Sequence, residues 1–295
     1  MVSGSDMHGT PITVTAQQEG KTPEQVAMEY HKLNSDSIER MGISFDLFSH
    51  THTEEHAEVA LSILKKLDDN GYIEPRISEE PYDPIANQFL PDRYVEGTCP
   101  HCNYDSARGD QCDNCGKTLD SKELINPRSK LNPDAKIEFR ETEHLFFKLS
   151  EFRDVLLEWL SEGKEHWRPS VINFTRNWLK EGLIDRAVTR DLDWGIEIPR
   201  EGYEDKRMYV WFEAVMGYYS ASIHWAKNQG KPEEWKKWWE DKGSEHYYFM
   251  AKDNIPFHTI IWPAMLSGCG FKLPYDVPAN EYLPVSYTHL TLPTK

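Results

Sequence analysis

The sequence predicts an α/β fold interrupted by a cysteine-rich insertion. Three observations predict it. Apolar strand-like runs alternate with helical periods at both ends of the chain, as in βαβ units with a parallel sheet. The middle carries two Cys-x-x-Cys pairs, Cys99 with Cys102 and Cys112 with Cys115, and then an alternating apolar and charged stretch. The 295 residues suffice for one to three domains with a sizeable core.

Composition narrows the class. Lys and Arg number 33 against 49 Asp and Glu, a net charge of −16, which excludes nucleic-acid binding by a chain basic all over but not a local basic patch. Ten Trp and 12% aromatics argue against disorder. There is no apolar run of membrane-spanning length and no charged-then-apolar leader. Five Cys is an odd number with four in one cluster, so a secreted disulfide framework is not expected. The expectation is a soluble cytoplasmic protein with reduced thiols.

The elements follow in order. Residues 1–14 read as strand, turn, short apolar strand, and Met1-Val2-Ser3 looks like the end of a strand with little before it. Thr22-Pro-Glu-Gln25 is a capping box with Pro at the first helical position, opening a helix to about Asn34. A second helix starts at Thr51, with Ala57, Ala60, Leu61, Leu64 and Leu67 on one face and Asn70-Gly71 as its stop. The Pro- and acid-rich residues 74–93 read as a loop and 133–148 as strands; Leu149-Ser150 opens a helix that stops at Gly163, and another runs from about 170 to Lys180 and ends at Gly182. Arg207–Phe212 reads as a strand feeding a helix at 213–227, Tyr247–Ala251 as a buried strand and Phe257–Met265 as a helix.

Four thiolates in two short-bite pairs, nine residues apart, suit a tetrahedral zinc ion, and with all positions filled the site is structural rather than catalytic. His101 between the first pair reads as a bystander, Cys269 as a buried structural residue, and Gly116-Lys117-Thr118 fails as a phosphate loop for want of its first Gly. His50, His52 and His56 have metal-like spacing, but no Cys or Asp completes a set, and they read as a solvated helix start beside Glu54 and Glu55. Asp6, in a Gly- and Ser-rich turn at a strand end, is either a ligand-binding carboxylate or a cap. Trp211, Ala214 and Tyr218 share a helical face whose plain reading is core. His258, on one face with Trp262, reads as structural from spacing alone.

Taken together, Ser3–Val14, Gly42–His56, Cys99–Cys115, Arg190–Pro199, Met208–Tyr218 and Met250–Leu266 resemble, in order, the methionyl-tRNA synthetases, a class I aminoacyl-tRNA synthetase family. Residues 278–283 are similar to the segment before that family's second signature. The resemblance implies a Rossmann-type catalytic domain split by a connective insertion with a zinc knuckle. The implied parts are 1–52 and 208–284 for the catalytic domain and 53–207 for the insertion, with the knuckle at 94–120. It implies methionine activation by ATP with Mg2+ and transfer of methionine to the 3′ end of tRNA(Met), in the cytoplasm, with neither membrane nor DNA as a partner. Asp6 would hold the methionine ammonium, Arg190 would orient the site by pairing with Asp6, and Trp211, Ala214, Tyr218 and His258 would line the side-chain pocket. Asp253 and Lys252 would lie at the nucleotide. Val215 stands where the family often has Pro.

The family's His-Ile-Gly-His and Lys-Met-Ser-Lys-Ser signatures occur nowhere in the 295 residues, so the expectation is an internal fragment, inactive in adenylate formation by itself. Residues 285–295 look like a translated sequencing adapter and read as foreign. Two alternatives stand: a valine, isoleucine or leucine synthetase, against which the short insertion argues, and a non-catalytic zinc-ribbon module binding RNA or protein. The latter would want a basic face where Asp105, Asp110 and Asp113 sit.

Overall fold

A computed structural model describes residues 1–91, 94–109, 112, 114–115 and 119–281. Asp110, Asp113, the Gly116–Thr118 tripeptide and the 285–295 tail, each singled out above, lie outside the described residues, as do 282 and 283. In chain order the first elements are β1 (Val2–Ser5), α1 (Thr10–Glu19), α2 (Pro23–Arg40), β2 (Leu47–His50) and α3 (Glu54–Asp69). Then come β3 (Ile73–Asp83), β4 (Gln88–Phe89), β5 (Val95–Thr98), β6 (Ala107–Arg108), β7 (Ile125–Ser129) and β8 (Glu138–Phe147). They are followed by α4 (Arg153–Trp159), α5 (Pro169–Glu181), β9 (Arg186–Ala187), β10 (Thr189–Arg190) and β11 (Arg207–Met208). The last are α6 (Val210–Glu213), α7 (Gly217–Asn228), α8 (Lys236–Trp239), β12 (Met250–Ala251), α9 (Trp262–Gly268) and β13 (Ala279–Asn280).

Two compact units emerge, one from Met1–Phe147 with Arg186–Trp225, the other from Lys148–Asp185 with Ala226 onward. In the first, β1 and β2 pair in parallel, Gly4 opposite Ser49. A Cβ on Gly4 would stand 2.6 Å from the Ser49 carbonyl oxygen, so only glycine lets the two backbones approach this closely. Antiparallel β4-β3-β8-β9 and β6-β5-β7 sheets make the middle of this unit, and β10 pairs antiparallel with β11. In the second unit β12 and β13 pair in parallel, and Trp262, Met265 and Leu266 of α9 are fully buried. The parallel pairs at the two ends and the antiparallel sheets between them agree with the predicted α/β class.

Four local expectations need correction. The Pro11-Ile12-Thr13-Val14 run is helix α1, not a strand: Pro11 sits in its first turn and Gly20 closes it in the left-handed conformation at φ 63°. Residues 73–83 are the long strand β3, not a loop. Its two prolines are tolerated because β4 pairs only with Tyr82 and Asp83, leaving most of that edge without a ladder. Val210–Glu213 is a helical turn rather than the end of a strand, so β11 stops at Met208. The Tyr247–Ala251 run is half wrong: only Met250–Ala251 is strand, and Tyr247 and Phe249 are 48% and 67% exposed. Elsewhere the cap chemistry holds. Thr22 and Gln25 make the reciprocal box that opens α2, which continues to Arg40, beyond the expected end. Thr53, not Thr51, caps α3, because the Thr51 hydroxyl accepts the Met7 N–H instead.

Candidate functional site

Every pair among the four knuckle sulfurs lies within 4.8 Å, with Cys99 to Cys115 at 3.9 Å and Cys102 to Cys112 at 3.5 Å. Sulfurs about 2.3 Å from one central ion stand about 3.8 Å apart in a tetrahedron, so the four cysteines are placed to bind a metal. The turn supports them: the His101 N–H points at the Cys99 sulfur at 3.4 Å and the Asn114 amide at Cys102 at 3.5 Å. Asn103, at φ 58°, takes the left-handed position that tightens the first pair's turn. The His101 side chain is exposed. Leu90, Tyr94, Val95, Ala107 and Leu124 form a small core with Cys99 and Cys112. Val14 of α1 packs against that core, and Thr13 of α1 hydrogen-bonds the Tyr94 hydroxyl at 2.9 Å.

The Asp6 turn and β10–α6 face a cavity of about 280 Å3 in the first unit. Asp6, Ile12, Arg190, Leu192, Tyr209 and Trp211 line it, so Asp6, Arg190 and Trp211 meet on one cavity although 205 residues separate the first from the last. The Asp6 residue is open to that cavity. Even so, the protein packed around its carboxyl, and then the charge of Glu213, push its pKa up to about 7. Arg190 lays its guanidinium 4.3 Å from the Tyr209 ring centre and donates to the Thr189 carbonyl. The next residue, Asp191, accepts from Lys206 at 2.5 Å and from His144 at 3.2 Å, which holds β10 in place. Burial opposes the Asp191 charge, but those two partners outweigh it and keep the carboxyl below its usual range.

Ala214 and Tyr218 follow Trp211 along the same stretch of helix. Tyr218 is largely enclosed, and burial pushes its hydroxyl up to about 12. Val215 is buried beside them. In the second unit His258 is buried, its Nδ1–H donating to the Asn254 carbonyl at 2.9 Å, and burial lowers its pKa to about 4, so the imidazole is neutral. Lys252 pairs with Glu281 at 2.5 Å, and Asp253 is exposed on the same short turn.

Beneath the Asp6 turn lies a network that the sequence did not reveal. Glu213, fully buried, accepts from His8 at 2.9 Å on one oxygen and from His56 at 2.5 Å on the other. The second nitrogen of His8 meets His52 at 3.0 Å, and that of His56 meets the Ser220 hydroxyl at 2.9 Å. Trp194 caps the group: its indole lies 4.6 Å from the His52 ring, and its N–H donates to the Met7 carbonyl at 2.7 Å. Burial works against the Glu213 charge, but the hydrogen bonds from His56 and His8 hold its carboxyl below the usual range. The solvated helix start expected at His52 and His56 needs correction: His56 is fully buried, and the two rings turn to different partners. The available signal was a lone carboxylate inside an apolar run, Val210 to Met216.

Comparison with known proteins adds the following. A family model described as tRNA synthetases class I (M) matches residues 1–291. A methionine–tRNA ligase of Dehalococcoides mccartyi is 58% identical over 97% of this chain and 51% of its own length. One from Thermomicrobium roseum is 55% identical over 96% and 48%, and one from Thermoplasma volcanium 52% over 96% and 52%. The chain therefore spans about half the length of the curated relatives it matches. A Mycobacterium tuberculosis methionyl-tRNA synthetase structure bound by methionyl-adenylate has a similar fold, with a TM-score of 0.70 at 22% identity, covering 96% of this chain and 49% of its own.

Proposed function

Because the chain belongs to the class I tRNA synthetases (M), we propose that it carries the amino-acid-binding part of a methionine–tRNA ligase. In that reaction a methionine carboxylate oxygen attacks the α-phosphorus of ATP and pyrophosphate leaves. A hydroxyl at the 3′ end of tRNA(Met) then takes the methionyl group and AMP leaves. The observation that carries the reading is the cavity on which Asp6, Arg190 and Trp211 meet.

Each residue has a physical task. Asp6, ionised, takes the methionine ammonium in a charge-assisted hydrogen bond, while Arg190 orients the carboxyl end. The indole of Trp211 lies along the thioether, a contact that contributes about 0.3–1.5 kcal/mol. Ala214 leaves room for the methyl group, and Tyr218 supplies a polar tip near the sulfur. His258, as a neutral imidazole, would do the same. Lys252 and Asp253 would serve the nucleotide. The assignments of Ala214, Tyr218, His258, Lys252 and Asp253 rest on the family resemblance alone, since of the named residues only Asp6, Arg190 and Trp211 line the cavity. Mg2+ would accompany ATP as in other phosphoryl-type chemistry.

The knuckle cysteines suit Zn2+ as a closed structural ion. When bound it supplies a cross-link between two turns and no chemistry. The proposed compartment is the cytoplasm; among the described residues no helix is long and apolar enough to cross a membrane.

Calorimetric titration of the chain with L-methionine, L-leucine, L-isoleucine and L-valine tests the reading. Methionine binds and the others do not compete at tenfold excess, and Asp6→Asn lowers methionine affinity about 100-fold, the scale of a lost charged hydrogen bond. A branched amino acid that binds tighter than methionine points to another synthetase of this class. No binding by any of the four defeats the reading.

A further inference from the structure

We propose that Glu213 is a positioning residue for the amino-acid pocket: held between His8 and His56, it locks the helix bearing Trp211 and Ala214 to the turn bearing Asp6. The proposal rests on the methionine reading above and deepens it. Three segments distant in sequence are involved. Glu213 lies two residues after Trp211, which lines the cavity, on the same helical turn, so a shift of that turn moves Trp211. His8 lies two residues after Asp6, and its backbone N–H donates to the Asp6 carboxylate at 3.3 Å. His56 sits in the first turn of α3 and ties the same carboxylate to Ser220 of α7 through its other nitrogen.

A carboxylate with no exposed surface is costly to keep unless its lone pairs are filled, and here each oxygen has its own ring N–H. The arrangement is therefore intolerant of sliding: if α6 moved against the Asp6 turn, one imidazole would lose its acceptor inside the protein. Nothing in this network reaches the cavity, since neither Glu213, His8 nor His56 lines it. Its effect on methionine is transmitted through Asp6 and Trp211.

The network also has an electrostatic side. The groups facing Glu213 are His8 and, through it, Asp6 from the turn after β1, His52 and His56 from α3 and the segment before it, and the Ser220 hydroxyl of α7. Glu213 is the like charge among them, and it disfavours ionisation of Asp6. Bound ammonium demands an ionised Asp6, so burial of its carboxyl first, and the charge at Glu213 after it, raise the pH below which methionine affinity declines.

The test titrates the full chain and its Glu213→Gln, Glu213→Asp and His8→Phe variants with L-methionine from pH 5.5 to 8.5, with a thermal melt of each. The parent chain loses affinity about tenfold per pH unit below about 7. Glu213→Gln, which presents an amide N–H where a ring N–H already points, binds about tenfold more weakly at pH 8 and shifts the decline to lower pH. Glu213→Asp keeps the charge but withdraws it from the rings; it binds more weakly with the decline where the parent has it. That split between affinity and pH is one a purely structural residue would not produce. Parent affinity and parent pH dependence in Glu213→Gln overturn the proposal and leave methionine binding standing. A parent chain that binds no methionine at any pH overturns the functional reading instead. Should Glu213→Gln lose its melting transition, His8→Phe decides: it cuts the link to the Asp6 turn while leaving His56 in place. A fivefold or greater loss of affinity there supports the proposal, and an unchanged affinity or an unfolded variant defeats it.

Discussion

Asp6 is where charge, burial and the proposed ligand meet. Its folded pKa of about 7 lies above the ordinary 3.8, so the folded chain holds a proton there that the unfolded chain has lost. The sign follows from linkage: through this group, stability declines as pH rises from about 4 to about 7 and is level above. Asp6→Asn removes that handicap. The ligand-free variant melts about 1–3 °C higher than the parent at pH 8 and unchanged at pH 4, a modest shift because the residue opens onto solvent in the cavity. His258, with a folded pKa of about 4, has the opposite sign: its contribution is complete above pH 6.5 and lost as pH falls toward 4. Gly4→Ala tests the close approach of β1 and β2. Its Cβ meets backbone, not a side chain that can swing away, so the variant unfolds at lower urea, by about 1–3 kcal/mol. Asp6, Arg190 and Trp211 were legible because each sits in a segment that resembles a known family. Glu213 was not, because a single carboxylate in an apolar run has no periodic signature, and its two imidazole partners lie 205 and 157 residues away.

Elements whose chemistry is local were read correctly. The capping box at Thr22, the stop at Gly182 and the paired cysteines each involve residues within a few positions of one another, and such spacings survive whatever the rest of the chain does. Elements decided by distant partners were misread. β3 carries prolines and acids that deny it a strand's composition, yet β8 pairs with it over ten residues. α1 has the β-branched residues of a strand, yet a proline at its start and packing of Val14 on the knuckle core keep it helical. The link between α1 and the knuckle has a measurable outcome. As purified from zinc-replete medium, the chain carries one equivalent of zinc, and Cys102→Ser or a strong chelator removes it. Hydrogen exchange then accelerates at Val95–Thr98 and, through Thr13 and Val14, along α1, while the amides of β1 and β2 keep their protection. Uniform loss across all these segments, or none, contradicts that local picture.

For the whole molecule, a net charge of −16 sets the behaviour in salt. Self-repulsion is screened over about 8 Å at physiological ionic strength, so raising NaCl from 20 to 200 mM increases the melting temperature by a few degrees. A melting temperature that falls over this range shows that the surface ion pairs, such as Lys65 with Asp69 and Lys32 with Asp36, outweigh the repulsion. The α/β class was legible at this scale because alternation of strands and helices is a property of the whole string. The two compact units were not, since their borders follow contacts that no local composition marks. Each unit takes its residues from two separate stretches, the chain leaving the first at Phe147 and returning at Arg186. A ribosome that has translated as far as Asp185 has therefore released Asp6, His8 and His56 without Trp211 or Glu213. The nascent polypeptide must wait, its buried histidines still lacking their acceptor, until Glu213, 28 residues past Asp185, clears the exit tunnel.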